Sequence, residues 1–400
     1  MIQRHIGTKL KALAAQFPVI LLTGPRQAGK TTLAKHLFFN HAYVSLEDPD
    51  NRESALADPR NFLERYKGGA IFDEVQRVPS LLSYLQTEVD RDAAPGRFIL
   101  TGSHHLSLMD TVSQTLAGRV AVTHLLPLSL GELQGQPVSD LFKALSKCEA
   151  PAAPPSFRLY QALFTGGYPR IHDRGLDPRD WLASYYQTYI ERDVRDIVNI
   201  GDLDTFQRFV RLCAGRSGQM LNLTSLGVDA GITHTTARKW LSVLQAGFLV
   251  HLLPPHHANF SKRLVKTSKM YFLDTGLLCY LLGIRSEDTI ATHPLRGAIF
   301  ETLIVSELIK AFIHTGEVPP LYFWRDRTGH EVDVVIDAGT ELIPLEIKSG
   351  ATVISSFFDG LRFFCRLGAP ASSGGLLVHG GSTPTHIREG FCVKPWFVTV

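Results

Sequence analysis

Short apolar runs recur in the first third of the chain, and stretches of helical periodicity separate them. The runs occupy residues 19–22, 43–46, 69–72 and 97–100, and helical segments follow at 33–39 and 81–90. Alternating strands and helices are typical of a mainly parallel sheet with helices on both faces. The pattern predicts an α/β domain over residues 1–150, whose end is marked by the proline-rich stretch at 150–155.

The loop after the first run has the full spacing of a phosphate-binding P-loop. Gly24 and Gly29 let successive amide groups curl around phosphates. Lys30 adds positive charge for the β- and γ-phosphates, and the Thr31 hydroxyl is placed to bind Mg²⁺. The predicted nucleotide contacts are Gly24, Pro25, Arg26, Gln27, Ala28, Gly29, Lys30, Thr31 and Thr32. The alternative is a glycine-containing strand-to-helix turn that binds no ligand.

Two acidic residues follow the third apolar run, as in a Walker B motif. Asp73 is predicted to hold Mg²⁺ through water, and Glu74 to polarise the water that attacks the γ-phosphate. Acidic residues after an apolar strand are also common at sheet edges without any such role. The preceding P-loop favours the catalytic interpretation.

Two further residues are candidates for contact with the γ-phosphate. Ser103 follows the fourth apolar run and is the predicted sensor, in preference to His104. Arg119 stands at the entrance to another apolar run, where it would be an arginine finger acting in cis or on a neighbouring subunit. The alternative for Arg119 is a structural ion pair.

Residues 1 to about 125 resemble AAA+ superfamily ATPases of the archaeal-ATPase-like branch. The resemblance is carried by residues 22–32, 43–49, 72–76, 100–103 and 116–119. It implies an ATP hydrolase with ATP and Mg²⁺ as cofactors. By analogy with that superfamily, the chain could also assemble with identical chains into a dimer or ring.

The central part of the chain is predicted to be helical. Residues 151–200 form a linker or lid, in which Arg192 and Arg195 contact either another subunit or surface carboxylates. Residues 201–268 have helix-turn-helix spacing, with one helix ending at Gly231 and another beginning near Thr233. Strands at 247–253 and 269–274 would pair as a wing, so the segment is a winged-helix candidate.

A recognition helix at this position would present basic side chains to DNA. The candidates are His234, Arg238 and Lys239 in the helix, and Lys262, Arg263 and Lys266 in the wing. Ala237, Leu241 and Leu244 form its predicted inward face. A winged helix that contacts proteins instead is the alternative.

Residues 269–400 carry a second group of acidic residues. Alternation places Glu346 and Lys348 on one face of a strand, and Asp333 on a neighbouring hairpin strand. Two converging carboxylates can hold Mg²⁺, and a lysine beside them can orient or deprotonate water for phosphodiester attack. A preceding helix would deliver Glu301 to the same centre. A structural cluster of salt bridges is the alternative.

This arrangement resembles the restriction-endonuclease-like PD-(D/E)XK fold, which implies metal ligation by Asp333, Glu346 and Glu301 and catalysis by Lys348. Val332 replaces the proline that usually precedes the aspartate. Nearly the whole chain is similar to prokaryotic ATP-binding proteins that join an AAA+ ATPase to a C-terminal domain of unknown function. Residues 271–282 and 323–333 add to that similarity.

Composition limits the partners. The formal net charge is +3 and the sequence pI is about 8.5, so any DNA contact requires local basic patches. The five cysteines form no Cys-x-x-Cys pair, which indicates reduced thiols. The N-terminus lacks a signal-peptide core and no apolar run is long enough for a bilayer, so we expect a cytoplasmic protein without a membrane partner.

Three functions fit these features. The first is a Mg²⁺-dependent ATPase that moves or gates C-terminal winged-helix and nuclease-like domains, acting on DNA. The second is a nuclease that ATP binding licenses. The third is an ATP-dependent regulator or scaffold whose C-terminal half binds proteins.

Overall fold

The computed structural model describes residues 2–103, 112, 114–138, 145, 148, 154–189, 203–256, 267–367 and 374–398. The chain folds into two compact units. The first comprises Met1–Leu128, Ala246–Phe248 and Ile313–Glu317, and the second comprises Ser129–Gln245, Leu249–Phe312 and Val318–Val400. The N-terminal stretch of the first unit therefore ends at Leu128 and not near residue 150, and most of the three predicted C-terminal segments lies in the second unit.

The first unit is built on a parallel five-stranded sheet with the strand order β2-β3-β4-β1-β5. The strands are β1 (Val19–Thr23), β2 (Ala42–Ser45), β3 (Ala70–Asp73), β4 (Phe98–Thr101) and β5 (Val120–His124). Because all five are parallel, their last residues lie along one edge of the sheet. This edge carries the candidate nucleotide site.

Helices cover both faces of this sheet. They are α1 (Ile6–Ala14), α2 (Lys30–Leu37), α3 (Pro49–Ala57), α4 (Pro59–Glu64) and α5 (Leu81–Arg91), with a 3₁₀ turn at Val75–Arg77. Alternate residues of β1 enter two separate apolar clusters: Val19 and Leu21 pack on one face, Ile20 and Leu22 on the other. The predicted α/β class with a parallel sheet is confirmed.

Most helices of the chain lie in the second unit. They are α6 (Leu130–Leu133), α7 (Leu159–Thr165), α8 (Pro169–Arg174), α9 (Pro178–Tyr189), α10 (Leu203–Ala214), α11 (Leu223–Ala230), α12 (His234–Ala246), α13 (Thr275–Leu281), α14 (Glu287–Ile290), α15 (Arg296–Thr315) and α16 (Asp359–Arg366). Further 3₁₀ turns lie at Ser355–Phe358 and Trp396–Val398.

A small sheet accompanies α10, α11 and α12. Its strands β6 (Gln219–Met220), β7 (Val250–Leu253) and β8 (Lys269–Phe272) are antiparallel in the order β6-β8-β7. The predicted pairing of β7 with β8 is thus confirmed. Helix α11 ends at Gly231, whose φ of 77° suits glycine, and α12 buries Ala237, Leu241 and Leu244 as predicted.

The largest sheet has six strands in the order β13-β14-β12-β11-β10-β9. They are β9 (Leu321–Arg325), β10 (Glu331–Asp337), β11 (Leu342–Lys348), β12 (Leu376–His379), β13 (His386–Arg388) and β14 (Phe391–Pro395). Strands β9, β10 and β11 form an antiparallel meander, and β12 runs parallel to β11. In chain order, α15 precedes the meander and α16 follows it.

A disulfide joins Cys148 to Cys392 in the second unit, 244 residues apart in the chain. The expectation that all five cysteines are reduced is therefore wrong, because tertiary structure brings together two sulfurs that no local spacing relates. Cys213 and Cys279 are buried free thiols. No helix in the described part of the chain is long and apolar enough to cross a membrane.

Candidate nucleotide site and carboxylate–lysine cluster

The loop between β1 and α2 has the backbone shape that its glycines predict. Gly24 has φ 145°, and a Cβ at this position would lie 2.1 Å from the carbonyl oxygen of Leu125. Gln27 and Gly29 are also left-handed, with φ 61° and 93°. Helix α2 begins directly after Gly29. A side chain at Gly24 would displace the loop from the end of β5, so this residue must be glycine.

Lys30 is buried at the start of α2. Its Nζ donates hydrogen bonds to the carbonyl oxygens of Gly24 and Pro25, at 2.9 and 2.8 Å. The ammonium group therefore lies at the loop itself, where the amide groups also converge. Polar backbone atoms hold it there, and these are partners that phosphate oxygens can replace.

Asp73, the last residue of β3, accepts hydrogen bonds from three hydroxyl groups. Thr31 Oγ1 lies 2.9 Å from its Oδ1 and 3.1 Å from its Oδ2, and the Tyr43 hydroxyl lies 2.9 Å from Oδ2. Thr101 Oγ1 donates to Oδ1. The structure thus brings the two predicted Mg²⁺ residues, Thr31 and Asp73, into direct contact.

Tyr43 and Thr101 are parts of this site that the motifs missed. Thr101 is the last residue of β4 and Tyr43 lies in β2, and these two strands flank β3, so their position was the signal that could have found them. Burial and, after it, the negative charge of Asp73 together raise the pKa of Tyr43 to about 12. The tyrosine is consequently a neutral donor to Asp73 at physiological pH.

Glu74 directly follows β3 and has a left-handed backbone, with φ 57°. Its Oε2 accepts a hydrogen bond from Gln76 Nε2. Left-handed geometry is costly for a residue with a side chain and is found mainly where the surrounding structure enforces it, often at functional sites. The left-handed backbone of Glu74 turns the chain where β3 ends at Asp73, and it thereby sets the direction of the Glu74 side chain.

Ser103 and Arg119 have different positions. Ser103 is buried two residues beyond β4, and its Oγ has no hydrogen-bond partner among the described residues. Arg119 immediately precedes β5, so it lies at the opposite edge of the parallel sheet from the P-loop. There its Nε and Nη2 bind the Asp90 carboxylate at 2.5 and 3.0 Å. Within the first unit, Arg119 does not reach the candidate nucleotide site.

Arg4 supports the P-loop from the N-terminal segment. It is buried, and its two terminal nitrogens donate to the carbonyl oxygens of Ala28 and Leu126 at 2.7 and 2.6 Å. One side chain thus ties the P-loop to the segment after β5. No local pattern distinguishes this arginine from a surface residue.

The second predicted site also assembles. Strand pairing of β10 with β11 places Asp333 Oδ2 2.8 Å from the backbone nitrogen of Ile347. Lys348 Nζ donates to Glu346 Oε1 at 2.5 Å. The other oxygen, Glu346 Oε2, is buried without a hydrogen-bond partner among the described residues. Asp333, Glu346 and Lys348 are therefore close together, as their spacing predicts.

Lys269 of β8 lies among the carboxylates of this group and was not predicted to do so. Its side chain is 4% exposed, and its Nζ lies 3.1 Å from Glu301 Oε1, 2.5 Å from Glu331 Oε1 and 3.9 Å from Asp333 Oδ1. The hydroxyl of Tyr271, two residues further along β8, donates to Glu301 Oε1 at 2.5 Å. We call Lys269, Glu301, Glu331, Asp333, Glu346 and Lys348 the carboxylate–lysine cluster.

Burial and charge shift proton affinities in this cluster. Burial raises the pKa of Glu346 to about 8, and the charge of Asp333 acts in the same direction. Burial alone would lower the pKa of Lys269, but Tyr271 and the carboxylates of Glu301, Asp333 and Glu331 together raise it well above its usual value. Lys269 is thus a permanent cation.

The cluster does not have the geometry of a metal centre. Within the described residues, no group of three His, Cys, Asp or Glu side chains is placed to hold a metal ion. Glu301 and Asp333 both face the Lys269 ammonium instead. The predicted ligand set of Glu301, Asp333 and Glu346 therefore does not fit a divalent cation in this structure.

Comparison with known proteins divides the chain into three parts. Residues 16–134 match an AAA domain, residues 156–288 a domain of unknown function (DUF8612), and residues 296–397 another domain of unknown function (DUF4143). The chain is 32% identical over 352 residues to the uncharacterized proteins Rv2008c of Mycobacterium tuberculosis and Mb2031c of Mycobacterium bovis. The alignments cover 88% of this chain and 74% of each relative.

The chain belongs to the family of these two mycobacterial proteins. Among solved structures, the Walker-type ATPase of Pyrococcus abyssi is similar to 70% of this chain and 96% of its own, with 15% identity and a TM-score of 0.45. That similarity is too low to bear on function. In this family member the P-loop, Asp73, Glu74 and Ser103 all lie within the AAA domain match. The first unit is an AAA-type nucleotide-binding domain.

The family matches also show how the cluster is composed. Glu301, Glu331, Asp333 and Glu346 lie in the third matched domain, whereas Lys269 lies in the second. The cation and the carboxylates around it thus come from two separate domains of the chain. The motif of Asp333, Glu346 and Lys348 lies wholly in the third matched domain, so it could not predict Lys269 as a member of the cluster.

The basic residues of the helix-turn-helix segment are only partly described. His234, Arg238 and Lys239 have exposed side chains on α12. The predicted basic residues of the wing, Lys262, Arg263 and Lys266, lie outside the described residues. So do the linker arginines Arg192 and Arg195 and the alternative sensor His104.

Proposed function

We propose that the chain is a Mg²⁺-dependent ATP hydrolase whose site is the carboxyl edge of the first sheet. The observation that carries this proposal is the direct contact of Thr31 with Asp73 beneath the P-loop. The groups that hold Asp73 there are the hydroxyls of Thr31, Tyr43 and Thr101, which carry no charge that would repel a cation. The geometry agrees with a P-loop residue and a Walker B aspartate that share one Mg²⁺ ion.

Each residue of the site then has a defined task. Lys30 exchanges the carbonyl oxygens of Gly24 and Pro25 for phosphate oxygens, and the loop amides orient the same group. Thr31 and Asp73 hold the metal, while Glu74 accepts a proton from the attacking water. Ser103, whose Oγ has no hydrogen-bond partner among the described residues, would donate to the terminal phosphate. When bound, Mg²⁺ would neutralise part of the negative charge on the phosphates.

The test is nucleotide binding and phosphate release by Lys30→Ala beside a matched control. Lys30→Ala should lose both activities, since the charge that faces the phosphates is removed. Lys11→Ala changes an exposed lysine of α1 and should retain both. If Lys30→Ala binds and hydrolyses ATP like the wild type, the site assignment fails.

For the second unit we propose a winged-helix segment followed by a nuclease-like domain that does not cleave nucleic acid. The helix-turn-helix followed by paired strands supports the first part, and the order α15-β9-β10-β11-α16-β12 supports the second. The position of Lys269 argues against metal-dependent cleavage. We expect no cutting of linear, branched or single-stranded DNA with Mg²⁺ or Mn²⁺. Cleavage that Asp333→Ala abolishes would refute this.

DNA is the partner that the exposed basic face of α12 favours. His234, Arg238 and Lys239 follow the turn at which a recognition helix begins. Gel-shift titrations should show an affinity for DNA that falls as the salt concentration rises. Replacing His234, Arg238 and Lys239 together by alanine should make this dependence of affinity on salt less steep. Arg366→Ala, an exposed arginine of α16, is the control. Affinity that is independent of salt, or absent, would instead favour a protein partner.

A further inference from the structure

Lys269 occupies an unusual position for a lysine. Carboxylate oxygens of Glu301, Glu331 and Asp333 lie 3.1, 2.5 and 3.9 Å from its Nζ. Three acidic side chains around one point are what a divalent cation would recruit. In this chain the point is taken by a side chain.

We propose that the Lys269 ammonium replaces a divalent cation in the carboxylate–lysine cluster, and that removal of this one side chain opens a cation site. The cluster is then an internal ion-pair junction in the native protein. It joins strand β8 of the three-stranded sheet to helix α15 and strand β10. This inference holds whether or not the P-loop site hydrolyses ATP.

The charges of the cluster support this assignment. Three carboxylates, those of Glu301, Glu331 and Asp333, and the carboxyl group of Glu346 meet the cations of Lys269 and Lys348. Arg325 adds a third cation, because its Nη1 lies 3.0 Å from Glu331 Oε2. Loss of Lys269 leaves Glu301 and Asp333 facing each other without their shared cation. Such a partly buried acidic pair relieves its repulsion by taking up a proton or by binding a divalent ion, and the second of these is the one tested below.

Strand β8 is built to deliver this cation. Lys269 and Tyr271 are two residues apart, so they project from the same face of the strand, and both reach Glu301 Oε1. The Tyr271 hydroxyl satisfies a carboxylate oxygen that a metal ion would otherwise bind. Two neighbouring side chains of one strand thus complete the coordination of Glu301 without metal.

The test measures Mn²⁺ binding by electron paramagnetic resonance in the full chain, without nucleotide. Every variant carries Asp73→Asn, which removes the cation site proposed in the first unit. The Asp73→Asn protein should bind no Mn²⁺ that depends on Asp333. Adding Lys269→Met should create Mn²⁺ binding, at about one ion per chain, because the positive charge that occupies the proposed site is removed.

Two further variants make the result specific. Adding Glu301→Gln to the Lys269→Met protein should abolish the gained binding. Lys310→Met, which removes an equally buried lysine of α15 that pairs with Glu307 at 2.8 Å, should gain none. A folded Lys269→Met protein that gains no Mn²⁺ binding would overturn the inference.

A second comparison decides the matter if Lys269→Met does not fold, as judged by circular dichroism. Mn²⁺ binding is then compared between Asp73→Asn and the Asp73→Asn/Asp333→Asn double variant. Equal binding supports the inference, because the native cluster then holds no ion. Binding that Asp333→Asn removes would show that the native cluster is a metal site despite Lys269.

Discussion

The P-loop site and the carboxylate–lysine cluster are built from similar residues but treat their charges in opposite ways. In the first, Asp73 is surrounded by hydroxyl donors, and Lys30 binds backbone carbonyl oxygens. In the second, Glu301, Glu331, Asp333 and Glu346 each face a lysine ammonium at 2.5–3.9 Å. Acids and a lysine are therefore present in both places, and only their pairing differs.

The pairing decides what each site can bind. The Asp73 carboxylate accepts from neutral hydroxyl groups, and Lys30 donates to carbonyl oxygens of the P-loop. These are contacts that the proposed Mg²⁺ ion and phosphate oxygens would replace. Carboxylates already paired with lysines offer little attraction to a metal ion, because it would have to displace a buried cation. The first site therefore suits the ligands that we propose for it, and the second does not suit a metal ion.

Removal of Lys269 is expected to have the largest effect. Lys269→Met leaves the partly buried carboxylates of Glu301 and Asp333 without their shared cation. The free energy of unfolding should fall by about 3 kcal/mol, the low end of the loss for a fully buried pair. Chemical denaturation measures this loss. The matched change in the first unit, Lys30→Ala, breaks bonds to backbone carbonyls and should lower stability by less. Equal losses in the two variants would contradict the contrast between the sites.

Loss of Glu74 is expected to reduce turnover without loss of binding. Glu74→Gln keeps the size and hydrogen-bonding capacity of the side chain but cannot accept a proton. Turnover of ATP should fall by at least about 100-fold, while ATP remains bound. Steady-state phosphate release and filter binding measure the two quantities. Glu53→Gln, an exposed glutamate of α3, is the control, and unchanged turnover in Glu74→Gln would exclude it as the base.

The pH dependence of stability should report on Glu346. Its pKa in the folded chain is about 8, whereas an unfolded glutamate has 4.5, so the unfolded chain loses this proton first as pH rises. The free energy of unfolding should therefore decrease between about pH 5 and 8, by about 1–3 kcal/mol from this group. In Glu346→Gln this decrease should be smaller.

Denaturant titrations at several pH values test that expectation. Glu317→Gln, an exposed glutamate, should leave the wild-type pH profile unchanged. If wild type and Glu346→Gln lose stability in parallel over this range, Glu346 is already ionised in the folded chain. The carboxylate–lysine cluster would then carry one more negative charge than it does with a protonated Glu346.

The smallest effect is expected at Tyr43. Tyr43→Phe removes one of three hydroxyl donors to Asp73, and a single hydrogen bond to a charged group contributes about 1.5–3 kcal/mol at most. Thr31 and Thr101 remain, so we expect only a several-fold rise in the Mg²⁺ concentration needed for half-maximal ATPase activity. A magnesium titration at saturating ATP measures it. Loss of all activity would mean that Tyr43 does more than orient Asp73.

The first unit shows how far local pattern can lead. Its strands, its P-loop and the acidic pair at Asp73 and Glu74 were all predicted, since each depends on a few consecutive residues. The position of Arg119 was also contained in the sequence. A residue that precedes a parallel strand lies at the amino edge, away from the residues that end such strands. Its ion pair with Asp90 is one of the two alternatives that the sequence left open.

The second unit shows where local pattern ends. The meander that carries Asp333, Glu346 and Lys348 was predicted by alternation and spacing. Lys269 was not, because it enters from a strand of another domain, 64 residues before Asp333 by their sequence numbers. The disulfide between Cys148 and Cys392 escaped prediction for the same reason. Such partners meet only when the chain has folded.

The sequence by itself determined the elements and the residue types that could do chemistry: a glycine loop, a lysine, and carboxylates at strand ends. These follow from backbone angles and side-chain periodicity, which act over a few residues. Tertiary structure decided which charges neutralise one another. It gave Asp73 hydroxyl partners and gave Asp333 a lysine, because the electrostatic environment of a buried carboxylate depends on whichever side chains pack around it, however distant they are along the chain.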